Sequence, residues 1–232
     1  MNVKRWLLLI FVGLLLAMVI FINWPHGFYG MLAQLSESLT DSTWQQPSPV
    51  EQKDPADWTT ADRILIGARN EIKNGTRFDR GGSYYPIDYP GGDIDPAIGV
   101  CTDTVIRALR YADIDLQQLI HEDMQNGFST YPQNWGLPSP DTNIDHRRIP
   151  NQLEFLQRYG LALSIDPADE DWQHGDIVYW RFADGREHCG IISDRRRQDD
   201  SAPLVIHNSL VTAEQDCLER WEITAHYRYP NP

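Results

Sequence analysis

The chain has 232 residues, 41% of them hydrophobic and 11% aromatic, which is enough to pack one domain core and too much for a disordered chain. Its formal net charge is -13, so the body repels phosphate backbones and nucleic acid is excluded as a partner. Three cysteines cannot all pair within one chain, and neither a CxxC nor a zinc-type His/Cys spacing occurs, so each thiol has to be weighed alone and no metal is expected.

The first element is apolar. Trp6 to Trp24 reads WLLLIFVGLLLAMVIFINW, with Asn23 its one strongly polar residue. As a helix it is about 28 Å long, close to the hydrocarbon thickness of a bilayer. Lys4 and Arg5 precede it, so the N-terminus is expected to stay cytoplasmic and the rest to be exported. A cleaved signal peptide is the competing reading. It fits less well, because Ile20 to Trp24 is bulky and no A-x-A site follows. Residues 1–25 are therefore expected to be a transmembrane anchor in the inner membrane, with the C-terminal body in the periplasm.

Residues 26–57 read as a linker, since Ala33 to Asp57 is rich in Ser, Thr, Gln, Pro and Asp. A domain over 58–232 follows. Thr59 or Thr60 is an N-cap for a helix whose stripe is Leu65, Ala68 and Ile72, with Gly75 as its stop. Phe78 to Gly99 is a long Gly-, Pro-, Tyr- and Asp-rich loop. Long loops in compact domains usually carry function. Cys101 then opens a helix striped by Val105, Ala108, Leu109 and Ala112. Further helices are expected at Leu116 to Met124 and, after Pro150, at Gln152 to Tyr159.

The last third changes character. Asp176 to Phe182, His188 to Ser193, Leu204 to Asn208 and His226 to Tyr229 are short β-rich runs bounded by turn residues. Helices followed by neighbouring strands predict an α+β domain with an antiparallel sheet.

A thiolate attacks only if its pKa is lowered, and a helix N-terminus lowers it. Cys101 occupies such a position, and the backbone N–H groups around it could hold an oxyanion. His188 follows the turn Asp184-Gly185 and opens a strand, which makes it the candidate base. Gly190 shares its face and is expected to let a helix pack closely. His207 and Asn208 alternate, so at most one of them faces the cleft. Asp103, in the first turn, opposes thiolate formation unless it turns away or pairs with a cation. The alternative is a small buried cysteine and two hydrogen-bonded strand histidines.

At GVCTDTVIRALR, and on through HEDM, YPQNWGLPSPDTNIDHRRIPN, GDIVYWRF, HCGIISD and PLVIHNS, the chain resembles the bacterial YijF-like family, defined only as a domain of unknown function. More distantly, the order loop, Cys helix, His strand, His strand is similar to the NlpC-type branch of papain-like cysteine peptidases and amidases. That likeness implies an antiparallel sheet packed against the Cys-bearing helix and cleavage of peptide or amide bonds in cell walls, with no metal or organic cofactor. It makes Cys101 the nucleophile, His188 the base and His207 the residue that orients the base. Tyr89-Pro90-Gly91-Gly92 resembles the segment before the nucleophile. Val100 and Thr102-Asp103 flank Cys101 where that branch has Asp before it and Ser-Gly after it.

Asn143, Asp145, His146, Arg147 and Arg148 could line a substrate groove together with Tyr89, Asp103 and Asn208, the Arg pair clamping a carboxylate of a cell-wall peptide. A loop pinned by Arg–Asp pairs is the alternative. His146 as a metal ligand has no partner spacing to support it. Cys189 reads as a core residue that could pair with Cys217 in an oxidising compartment. A cysteine amidase or endopeptidase is the leading expectation. An acyltransferase on the same residues, a non-catalytic envelope-binding module and a thiol redox role are the rivals.

Overall fold

The computed structural model describes residues 47–79, 84–168 and 171–231. The apolar run 6–24 and most of the expected linker lie outside the described residues. Among the described residues no helix is long and apolar enough to cross a membrane.

Helix α1 spans Thr60–Asn74. Thr59 begins it with a reciprocal cap: its hydroxyl accepts from the Asp62 N–H at 3.2 Å, and the Asp62 carboxylate accepts from the Thr59 N–H at 2.8 Å. Gly75 ends it with φ at +64°, a conformation that costs glycine nothing. The segment before α1 belongs to the folded body, which corrects the expected linker from residue 47 onward. Val50 is only 1% exposed. The Ser48 hydroxyl and the Val50 N–H both donate to Asp194, at 2.6 and 2.9 Å. The polar composition of this stretch serves those anchoring bonds.

Two short strands, β1 (Arg77–Phe78) and β2 (Ile98–Gly99), pair in parallel and close the long loop between them. Helix α2 (Cys101–Tyr111) follows at once. It crosses α1 closely at Gly67, where a Cβ would meet Tyr111 Cβ at 2.7 Å and the Ala108 carbonyl at 2.8 Å. Helices α3 (Leu116–Gly127) and α4 (Ile149–Tyr159) complete the helical layer.

The main sheet comprises β3 (Leu161–Ala162), β4 (Ile177–Arg181), β5 (Glu187–Arg196), β6 (Pro203–Asn208), β7 (Thr212–Gln215) and β8 (Glu222–Arg228). Their spatial order is β3-β8-β4-β5-β6-β7, all antiparallel. The fold is thus α+β, as the run of neighbouring strands predicts. Both faces of the sheet are covered. Ile177, Tyr179, Cys189, Ile191 and Ile206 pack with Val105, Ala108 and Leu109 of α2 in the larger core. Val178, Trp180, Ile192 and Val205 form a second core with Trp172, Cys217 and Leu218.

Two expectations change here. Gly190 makes room for a strand, since a Cβ there would meet Val205 Cγ1 at 2.8 Å and His207 Cβ at 3.1 Å, both on β6; the close helix crossing is made at Gly67. Cys189 and Cys217 lie in cores on opposite faces of the sheet, and none of the three cysteines is in a disulfide.

Candidate functional site

Cys101 is the first residue of α2. Its predecessor Val100 is extended, with φ at -112°, and the Val100 N–H donates to Asp103 Oδ2 at 2.7 Å. This carboxylate fastens the helix start in the way a capping box does. The same carboxylate receives Arg147 Nε at 2.7 Å and Nη2 at 2.9 Å. Both side chains are almost wholly buried, so the negative charge that would oppose a thiolate is matched by a guanidinium. Thr102 supports the contact by donating to the Arg147 carbonyl at 3.0 Å.

The Cys101 thiol is half-buried and titrates well below the usual thiol range. The largest cause is a hydrogen bond from the Cys189 thiol, against which burial works. The charge and hydrogen bond of the His188 imidazole lower it further, as does the Cys189 N–H. The Cys189 thiol is pushed the other way, well up, by burial and by its bond to Cys101. The two neighbouring thiols are thus shifted in opposite directions.

Consecutive strand residues face opposite ways. Cys189 meets Cys101 from the helix side of β5, and the ring of His188 lies with the aromatic groups of the other face. Trp180 and Phe182 stack on that ring at 5.7 and 5.3 Å, and Trp221 meets it edge-on at 5.6 Å. Cys101, at the helix mouth beside the first residues of β5, interacts with both neighbours.

Beyond His188 a hydrogen-bonded row continues through the sheet. His188 Nε2 lies 2.8 Å from His207 Nδ1, and His207 Nε2 lies 2.8 Å from Gln215 Oε1. His207 is fully enclosed and titrates at about 3, chiefly because burial disfavours its cation and also because His188 lies beside it. With Nε2 of His188 engaged by His207, Nδ1 is its other ring nitrogen.

The other predicted residues are not drawn onto this row. Tyr89 is exposed and packs edge-on against His121 at 4.9 Å. Asn143 pins the long loop, accepting from the Ile87 N–H at 2.8 Å and donating to Tyr84 Oη at 2.8 Å. Asp145 is buried, accepts from the Asp141 N–H at 2.5 Å and pairs with Arg148 at 2.8 Å. Arg148 also lies over the Trp135 ring at 4.0 Å. His146 is buried and titrates at about 4, chiefly through burial. Asn208 points away from His207 and donates to the Thr76 carbonyl at 3.2 Å and the Thr212 hydroxyl at 3.1 Å. Asp103 thus pairs with Arg147, and Asp145 with Arg148. Sequence reasoning missed Gln215 and the thiol contact of Cys189. The only signal for Gln215 would have been period-two spacing from Ala213, and TAEQ does not read as a strand.

Comparison with known proteins places this fold in a family. No solved structure matches. A curated protein, "Uncharacterized protein YijF" of Escherichia coli (strain K12), is 46% identical over 167 residues, covering 72% of this chain and 80% of that protein. Residues 65–229, from α1 through β8, match the family described as "Domain of unknown function (DUF1287)", and the chain belongs to that family.

Proposed function

We propose that the chain is a cysteine hydrolase, an amidase or endopeptidase acting on peptide or amide bonds of the cell envelope. In this reading residues 6–24 hold it at the inner membrane and its folded body lies in the periplasm. The single observation that carries the proposal is the placement of Cys101 as the first residue of α2, packed against β5, whose His188 is bonded to His207; the lowered thiol of Cys101 agrees with it. Structural cysteines in apolar cores have raised pKa values, as Cys189 does here.

The steps follow from these groups. The Cys101 thiolate attacks the carbonyl carbon, and the carbonyl electrons move to oxygen. Backbone N–H groups at the mouth of α2 receive that oxyanion. As the C–N bond breaks, His188 gives the amine its proton from Nδ1. Water then attacks the thioester, His188 takes its proton, and the acid and the Cys101 thiolate are released. His207 holds the ring of His188 throughout. An acyltransferase would differ only in replacing water with another acceptor.

The test is incubation of the full chain in detergent with purified cell-wall fragments, wild type beside Cys101→Ala, read by mass spectrometry. Cleavage by wild type alone is expected, with loss of at least ~1,000-fold in the variant. Equal cleavage by both proteins would remove Cys101 from the mechanism. Binding of fragments without cleavage by either would favour an envelope-binding module.

A further inference from the structure

We infer that Gln215 is a positioning residue of this site: as a fixed hydrogen-bond acceptor it dictates where the protons of His207 and His188 reside, and so allows an imidazolium to stand opposite Cys101. This rests on the hydrolase reading and adds a residue to it.

The argument starts at the far end of the row. An amide oxygen can only accept. Gln215 Oε1 faces His207 Nε2 at 2.8 Å, so that nitrogen carries the hydrogen. Burial lowers the His207 pKa to about 3, so at neutral pH it is uncharged, and a neutral imidazole has one N–H. Its Nδ1 is therefore a bare acceptor, and it faces His188 Nε2 at 2.8 Å. His188 Nε2 must then be the donor. That leaves Nδ1 of His188 to exchange a proton with the thiol. In the imidazolium state both nitrogens of His188 are donors, and this state fits only if His207 accepts.

A reversed amide would undo the row. Its NH2 would make His207 Nε2 the acceptor, and His207 Nδ1–H would then point at His188. A neutral His188 would be obliged to keep its proton on Nδ1, and an imidazolium would meet a donor. The acceptor at position 215 thus separates a site that can form the ion pair from one that cannot. Gln215 is buried on β7, in register with Val205 of β6 and two residues from Ala213, which is the partner of His207. The sheet fixes it on the same face as His207. Other charged and titratable groups around the row are Arg220 near His207, Glu187 and Cys189 near Cys101, and the paired Asp103 and Arg147. Of the groups facing His207, Gln215 is the one that raises its proton affinity through a side-chain hydrogen bond.

The experiment uses the full chain in detergent and needs no substrate. Alkylation of Cys101 by iodoacetamide is followed against pH by peptide mass spectrometry for wild type, Gln215→Met and Gln215→Glu. Nitrogen NMR of the wild-type imidazoles reads the tautomers directly. The expected result is a low midpoint in wild type, a midpoint about one pH unit higher in Gln215→Met, a low midpoint retained in Gln215→Glu, and His207 protonated on Nε2. A Gln215→Met midpoint equal to a low wild-type midpoint overturns the role of Gln215 alone. A wild-type midpoint in the free-thiol range overturns the hydrolase reading and this inference with it. If Gln215→Met does not fold, the wild-type spectrum decides, and a His207 proton on Nδ1 refutes the inference.

Discussion

Cys101 owes its acidity to a neighbour that the helix-mouth argument alone does not contain. A helix N-terminus offers partial positive charge, and His188 lowers the thiol further, yet the leading cause is the Cys189 thiol. Cys189 therefore does two things. It fills the core between β5 and α2, and it lowers the neighbouring Cys101 thiol. Cys189→Ala removes the donor while leaving the backbone N–H of residue 189 in place. The Cys101 alkylation midpoint is expected to rise by about one pH unit, with Cys189→Ser, which keeps an O–H, moving it less. Equal midpoints in wild type and Cys189→Ala would show that the second thiol is only packing. The alternation of β5 identifies Cys189 as inward-facing from sequence. Its contact with Cys101 joins residues 88 positions apart and depends on how far α2 advances along the sheet, which no local pattern encodes.

At the scale of elements, α2 carries Cys101 and its start is held by a pair from a distant loop. Asp103 binds the Val100 N–H on one side and Arg147 on the other. Arg147→Met would leave a carboxylate buried without its cation, and breaking such a pair costs ~3–5 kcal/mol. Urea denaturation should show that loss, and the Cys101 midpoint should rise because an unpaired negative charge now sits two residues from the thiol. A loss below about 1 kcal/mol would mean that the pair does not anchor the helix. The same elements show what the sequence could reveal. Helix α1 was legible because Thr59 and Gly75 mark its ends, α2 because its apolar residues repeat at helical spacing, and β4 to β6 because β-branched and aromatic runs lie between turns. Strand β7 was not, since Thr212–Gln215 has no apolar alternation and becomes a strand only through the ladder offered by β6. Its invisibility hid Gln215. At residues 143–148 the Asn, Asp and Arg side chains look like ligand donors in sequence, and the structure shows that they also pin a segment with little apolar content.

For the molecule as a whole, the consequence is an acid sensitivity with two stages. His207 and His146 titrate at about 3 and about 4, whereas a free histidine titrates near 6.5. One lies beside the aromatic core of the sheet and the other within the helical layer, so neither can charge without disturbing its own side of the fold. Between these values the unfolded chain binds protons that the folded chain refuses, and stability falls as pH drops below ~6.5. The lowered thiol of Cys101 acts in the same direction. Asp62 adds the second stage. Burial would raise its pKa, but Lys53 and Thr59 hold it at about 2; its contribution is present above the ordinary value of 3.8 and is lost as pH falls toward 2. Urea unfolding at pH 7 and pH 5 measures the first stage. Each refused histidine proton steepens the loss by up to ~1.4 kcal/mol per pH unit. Wild type is expected to lose several kcal/mol over that interval, and His146→Gln, which carries no titrating ring, to lose less by the share of one histidine. Equal stability of wild type at the two pH values would mean that these rings take up protons in the folded state, and the neutral His207 on which the proton row depends would go with it.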